Sequence, residues 1–133
     1  MKRFLSIDDS QIFTNWMSMI LKPYGETFTA NDGELGFELY KKELAIDSFD
    51  VIFLDLNLPG IDGEEMIKRI RGYEEHNKVL HKSLIFMVTA NTDPIQMMKL
   101  LEKGADFYLS KPVDQQRFFE ALERFKVIDY RIS

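Results

Sequence analysis

The stretch Val51-Ile52-Phe53-Leu54-Asp55-Leu56-Asn57-Leu58-Pro59-Gly60 decides the fold. Its first four residues are all apolar, and three are β-branched or aromatic, so they read as a short strand with no polar face. Strands covered on both sides are typical of parallel sheets flanked by helices. The run ends on Asp55, and Pro59-Gly60 mark a loop.

Outward from this strand the same unit recurs, a short apolar run followed by an amphipathic stretch, five times in all. Towards the N-terminus, Arg3 to Ile7 and Thr27 to Ala30 read as strands. Between them Ile12, Phe13, Trp16, Met17, Ile20 and Leu21 recur at helical spacing, with Pro23 and Gly25 as the stop. After Asn31-Asp32-Gly33 a helix carries Leu35, Phe37, Leu39, Tyr40 and Leu44 inward. Beyond the central strand, a helix is expected from about Asp62 to Gly72 with Met66, Ile67 and Ile70 on one face. The polar stretch Tyr73 to Lys82 reads as fraying helix and surface loop. A strand from Leu84 to Val88, a helix from about Asp93 to Lys103 closed by Gly104, a strand from Phe107 to Leu109 and a helix carrying Phe118, Leu122 and Phe125 complete the pattern. The expected fold class is α/β, a doubly wound five-stranded parallel sheet with helices on both faces. Residues 1–126 form one domain, and 127–133 are a tail of undetermined structure.

Composition limits the function. A chain of 133 residues with 45% hydrophobic content supports one core. With 22 acidic against 17 basic residues its formal charge is -5, which speaks against direct binding to nucleic acid. The chain has no cysteine, so disulfides, thiolate metal sites and thiol nucleophiles are excluded. No apolar run reaches membrane-spanning length, and Asp8-Asp9 cut short the only candidate signal-peptide core, so a cytoplasmic location is expected.

Right-handed crossovers bring the carboxyl ends of parallel strands to one edge, where ligands bind. There this chain carries Asp8 and Asp9 after the first strand, Asp55 after the third, Thr89 after the fourth and Lys111 after the fifth. Like charges about 4 Å apart repel by roughly 4 kcal/mol at an effective dielectric near 20, so three neighbouring carboxylates need a cation or must take up protons, and a hard divalent ion meets that need. A hard ion with few protein oxygens and several waters fits Mg²⁺ better than Ca²⁺. Asp55 can then act as a nucleophile towards phosphorus, with Lys111 and Thr89 contacting phosphoryl oxygens.

Five segments in order carry a resemblance: Ser6-Ile7-Asp8-Asp9-Ser10, Val51 to Gly60 with Asp62-Gly63, Val88-Thr89-Ala90, and Gly104-Ala105-Asp106-Phe107-Tyr108-Leu109-Ser110-Lys111-Pro112. The chain resembles a response-regulator receiver domain over roughly Lys2 to Lys126. That resemblance implies the flavodoxin-like strand order 2-1-3-4-5 and phosphorylation of Asp55 by a histidine kinase or histidine phosphotransfer protein. It implies Mg²⁺ held by Asp9, Asp55 and the backbone carbonyl of Asn57, with Asp8 acting largely through a metal water. It also implies a cis Lys111-Pro112 bond, a switch made of Thr89 and Tyr108, and a changed surface over helix four, strand five and helix five that meets a protein target or a second copy. Asn57 and Asn91 stand where relatives tune hydrolysis, and the polar face of helix one, Gln11, Thr14, Asn15 and Ser18, stands where they meet the phosphodonor. The chain is then a stand-alone receiver or one trimmed from a longer regulator.

Singly, each residue has a plainer reading. Asp8-Asp9 alone caps a helix, Thr89 is an ordinary strand residue, Lys111 a loop lysine and Tyr108 an amphipathic packing residue. His76 and His81 read as surface residues, Met97-Met98 and Phe118-Phe119 as core with partly exposed members, and Glu64-Glu65 with Lys68-Arg69 as helix-surface pairs. A haloacid-dehalogenase-like phosphohydrolase would have its nucleophile after the first strand and a second Asp two residues on, where Asn57 stands here. A flavodoxin would need a phosphate-cradling first loop, which Asp8-Asp9 oppose. A receiver used as a phosphorylation-independent interaction module is the remaining alternative.

Overall fold

The computed structural model describes residues 1–132, and Ser133 lies outside the described residues. Ten elements alternate: β1 Lys2–Ile7, α1 Gln11–Leu21, β2 Gly25–Ala30, α2 Gly33–Leu44, β3 Val51–Leu54, α3 Gly63–His76, β4 Leu84–Thr89, α4 Pro94–Glu102, β5 Phe107–Ser110 and α5 Gln115–Arg124. The five strands form one sheet in the order β2-β1-β3-β4-β5, every pair parallel. This is the expected doubly wound, flavodoxin-like arrangement.

Period-two alternation divides the central strands between two cores. Leu5, Ile7, Ile52, Leu54, Ile85 and Met87 face α2, α3 and α4, where Tyr40, Met66, Ile67, Ile70, Met97 and Leu100 meet them. Phe4, Val51, Phe53, Phe86 and Val88 face α1 and α5, meeting Met17, Leu21, Phe118, Phe119 and Leu122. Each helix starts on a side-chain cap: Ser10 accepts from the Phe13 N–H, Asp32 from Leu35, Asp62 from Glu65, Asp93 from Ile95, and Asp114 from Gln116 and Arg117. Such a cap stabilises a helix by about 1 kcal/mol.

Several expectations need correction. Gly25 does not stop α1 but opens β2, beside Lys2, where any Cβ would collide with the Lys2 carbonyl. Ile12 and Leu35 point to solvent, at 84% and 55% exposure. Phe118 and Phe119 are both buried, with no exposed member of that pair, while Met98, exposed beside buried Met97, is as expected. Glu64 pairs with Lys103 and Arg69 bridges Glu65 and Glu34, so two of these surface pairs join different helices.

The stretch after Gly72 is not a loose surface loop. α3 continues to His76, and buried Glu74 joins Arg71 in a clamp. Arg71 donates to the Gly104 carbonyl at 3.0 Å, Glu74 Oε1 at 2.7 Å, the Ser83 carbonyl at 2.7 Å and Asp106 Oδ2 at 2.8 Å. Glu74 Oε2 also accepts from the Ser83 N–H, and Asp106 Oδ2 from the Ile85 N–H. Gly104 has φ +125°, a backbone conformation open to glycine, and its missing Cβ leaves room for the Arg71 stem. The segment after α5 is likewise built in: Val127 and Ile128 are buried in the α1/α5 core, and the Ile132 N–H donates to the Tyr24 hydroxyl.

Candidate functional site

The sheet register assembles the site. Ile7 pairs with Leu54, so the residues following each strand, Asp8 and Asp55, emerge side by side, and the Asp55 N–H donates to the Ile7 carbonyl at 3.1 Å. Thr89 pairs with Ser110, which puts Lys111 at the next position, its N–H donating to the Thr89 carbonyl at 2.9 Å. Gly63 lets the loop after β3 close against the start of α3: its N–H donates to the Leu56 carbonyl at 2.9 Å, and a Cβ there would lie 2.7 Å from Leu56 Cα.

Asp8, Asp9 and Asp55 each offer a carboxylate oxygen, all within 4.8 Å of one another. Asp8 and Asp55 are buried and Asp9 is exposed, so the cluster opens to solvent through Asp9. Lys111 bridges the two buried acids, donating to Asp8 Oδ2 at 2.6 Å and to Asp55 Oδ2 at 3.4 Å. Burial works against the charged ammonium, but the hydrogen bond to Asp8 and the charges of Asp55 and Asp8 outweigh it and raise the Lys111 pKa. Burial also pushes the Asp8 carboxyl above its ordinary value, with Lys111 opposing the shift. The Lys111-Pro112 peptide is cis, as the resemblance implied.

The other predicted residues lie around this centre. Thr89 is fully buried and its Oγ1 accepts from the Asn91 N–H at 3.1 Å. Asn91 is exposed, with its amide directed to Gln96. The Asn57 N–H donates to Asp55 Oδ1 at 3.2 Å. Tyr108 is 37% exposed, on the outer side of β5. Thr14 departs from expectation. It is buried, its hydroxyl donates to the Gln11 carbonyl, and it is not part of a solvent-facing helix surface with Gln11 and Asn15. In its place an apolar groove opens beside the acids, lined by Ile12, Phe13, Trp16, Pro112 and Val113. Phe13 and Trp16 line it while also packing against the α1/α5 core, as their helical spacing with Met17 and Leu21 predicts, and Ile12 alone of the three is exposed. Their place next to the first strand's acids was the available signal.

A parallel sheet with three clustered acids and a bridging lysine at its carboxyl edge defines an α/β domain of flavodoxin-like order built around an anionic pocket. The chain belongs to the response regulator receiver domain family, matching its description over residues 4–123. It is 35% identical over 122 residues to the transcriptional regulatory protein AfsQ1 of Streptomyces coelicolor, covering 91% of this chain and 49% of that protein. It is 30% identical over 128 residues to hybrid signal transduction histidine kinase F of Dictyostelium discoideum, covering 96% of this chain and 11% of the kinase. The chain thus spans about half or less of the length of these two relatives. Among solved structures it resembles the CheX-CheY-BeF3-Mg²⁺ complex of Borrelia burgdorferi, with TM-score 0.80 and 25% identity over 96% of this chain and 90% of that one. Receiver domains are signalling domains of two-component systems that interact with histidine kinases or phosphotransfer proteins. No helix among the described residues is long and apolar enough to cross a membrane.

Proposed function

We propose that this chain accepts a phosphoryl group on Asp55 from a phosphohistidine donor and signals through a changed surface. The observation that carries the reading is the Lys111 ammonium bridging Asp8 and Asp55, with the oxygens of Asp8, Asp9 and Asp55 gathered within 4.8 Å. An Asp55 carboxylate oxygen attacks phosphorus, the new P–O bond forms as the P–N bond breaks, and the imidazole leaves with the electron pair and takes up a proton. Lys111 exchanges a carboxylate for a phosphoryl oxygen, and the Thr89 hydroxyl donates to another.

The clustered hard oxygens suit Mg²⁺. Asp9, Asp55 and the Asn57 carbonyl are its proposed ligands, with Asp8 reaching it through water. When bound it supplies positive charge against the phosphoryl oxygens. Asn57 and Asn91 flank the path of a hydrolytic water and set the lifetime of the acyl phosphate.

The output surface is α4, β5 and α5. Ile95, Met98, Leu101 and Tyr108 leave apolar area exposed there, suited to a protein target or to a phosphorylation-dependent homodimer. Phosphorylation adds about two negative charges, and Thr89 and Tyr108 pass the change on by moving together. Converting a 1:99 mixture of two states to 99:1 takes about 5.5 kcal/mol of differential stabilisation. The receiver unit is proposed as residues 1–126 with Val127 and Ile128 packed into its α1/α5 core, and the cytoplasm is the proposed setting.

The test is incubation with acetyl phosphate and Mg²⁺ followed by intact mass measurement. The wild type is expected to gain one labile phosphoryl group that chelation of the metal prevents, and Asp55→Asn is expected to gain none. An unmodified wild type, or equal uptake by Asp55→Asn, overturns the reading. Repeated turnover of a phosphate ester would point to a phosphohydrolase.

A further inference from the structure

Lys111 has a third neighbour that is not an acid. Its Nζ lies 4.7 Å from the centroid of the Phe13 ring while it donates to Asp8 and Asp55. Phe13 is held in place by its neighbours. Its N–H donates to Ser10 Oγ at 3.2 Å, and its ring packs against Trp16 at 5.8 Å, which packs in turn against Phe118 at 6.1 Å. The first turn of α1 therefore fixes an aromatic face against the ammonium that the phosphoacceptor reaction uses.

An aromatic face attracts an ammonium through its quadrupole, more strongly where water is excluded. It differs from a carboxylate in one respect that matters here: it takes none of the ammonium's protons. Asp8, at 2.6 Å, competes with an incoming phosphoryl oxygen for the same N–H donors, and Phe13 does not. We propose that Phe13 is a positioning residue for phosphoryl transfer, its ring holding the Lys111 ammonium beside Asp55 after Asp8 has given it up. This inference rests on Asp55 being the phosphoacceptor.

A leucine in this position packs against the lysine stem but has no quadrupole, whereas tyrosine keeps one. The test compares wild type, Phe13→Leu and Phe13→Tyr as full chains, measuring the initial rate of phosphorylation by acetyl phosphate at saturating Mg²⁺. Phe13→Leu is expected to be slower by about three- to thirty-fold, with its melting temperature and its Mg²⁺ affinity nearly unchanged, and Phe13→Tyr to stay within about twofold of wild type. Mono-, di- and trifluorinated phenylalanine at position 13 preserve the shape while draining the ring face, and should slow the reaction in step with fluorine count. Proton NMR gives a readout independent of phosphorylation. The Lys111 ε-methylene signals should be shifted upfield by the ring in wild type and Phe13→Tyr, and lie at their ordinary position in Phe13→Leu.

A wild-type rate in Phe13→Leu, a Phe13→Tyr as slow as Phe13→Leu, a flat fluorine series or the absence of the upfield shift each overturns the proposal. Should Phe13→Leu fail to fold, the fluorinated series decides alone. A wild type that takes up no phosphoryl group, its upfield shift intact, refutes the phosphoacceptor reading and the role of Phe13 with it. Uptake by wild type with an equal rate in Phe13→Leu refutes this inference only.

Discussion

Asp8 and Asp9 are neighbours in the chain with opposite surroundings, one buried and hydrogen-bonded to an ammonium, the other open to solvent. Chemical type alone does not separate them; the strand register does, by seating Asp8 beside Asp55. Tyr40 is the contrasting case. It is fully buried, its hydroxyl has no hydrogen-bond partner among the described residues, and burial, with the Glu74 charge second, raises its pKa above the ordinary value. The folded chain therefore keeps the phenol proton at pH values where the unfolded chain releases it. Stability associated with Tyr40 is complete below about pH 10 and declines as pH rises beyond it. Tyr40→Phe is expected to raise unfolding free energy by about 1 kcal/mol at neutral pH and to flatten the decline above pH 10, both measured by urea titration. Lower stability in the variant would show that the hydroxyl is satisfied. The site acids, Thr89 and Lys111 were legible because each follows or ends a strand. Tyr40 was legible only as an inward apolar residue, since nothing in the sequence says whether a hydroxyl finds a partner.

Among the elements, α3 shows best where sequence reading stops. Apart from Val79, Leu80 and the Tyr73 ring, Tyr73 to Lys82 is polar, and polarity normally means solvent, yet Glu74 is 1% exposed because Arg71 and the Ser83 N–H satisfy it. Pairing across nine residues of sequence has no periodic signature, so the clamp was hidden while the apolar face of Met66, Ile67 and Ile70 was plain. Removing one partner of such a cluster leaves a buried charge exposed to its full desolvation cost. Arg71→Met is expected to lose about 3–5 kcal/mol, read as a lower urea midpoint. Arg71→Lys should recover only a fraction, because a single ammonium cannot serve Gly104, Ser83, Glu74 and Asp106 together. A midpoint unchanged in Arg71→Met would mean that the clamp does not hold Glu74 in a dry interior. The strands and helices themselves were readable to within a few residues, because five apolar runs and five amphipathic stretches alternate without a break.

At the scale of the whole molecule, two cores on either side of one sheet leave the acid cluster at the carboxyl edge and the chain's last turns at the other. Lys2 opens β1, its N–H donates to the Tyr24 carbonyl, and the Tyr24 hydroxyl in turn receives the Ile132 N–H. Ile132 is thus held at the amino edge, separated from Asp55 by the length of a six-residue strand, roughly 20 Å. Anything tethered beyond this point leaves the molecule on the far side from the chemistry. A fluorescent protein appended there should leave phosphorylation kinetics within about twofold of the free chain, by the same acetyl phosphate assay, unless it bends back over the opening. With Ile132 tied to Tyr24 at the opposite edge, news of events at Asp55 must cross the sheet or travel round it before it reaches a passenger attached there.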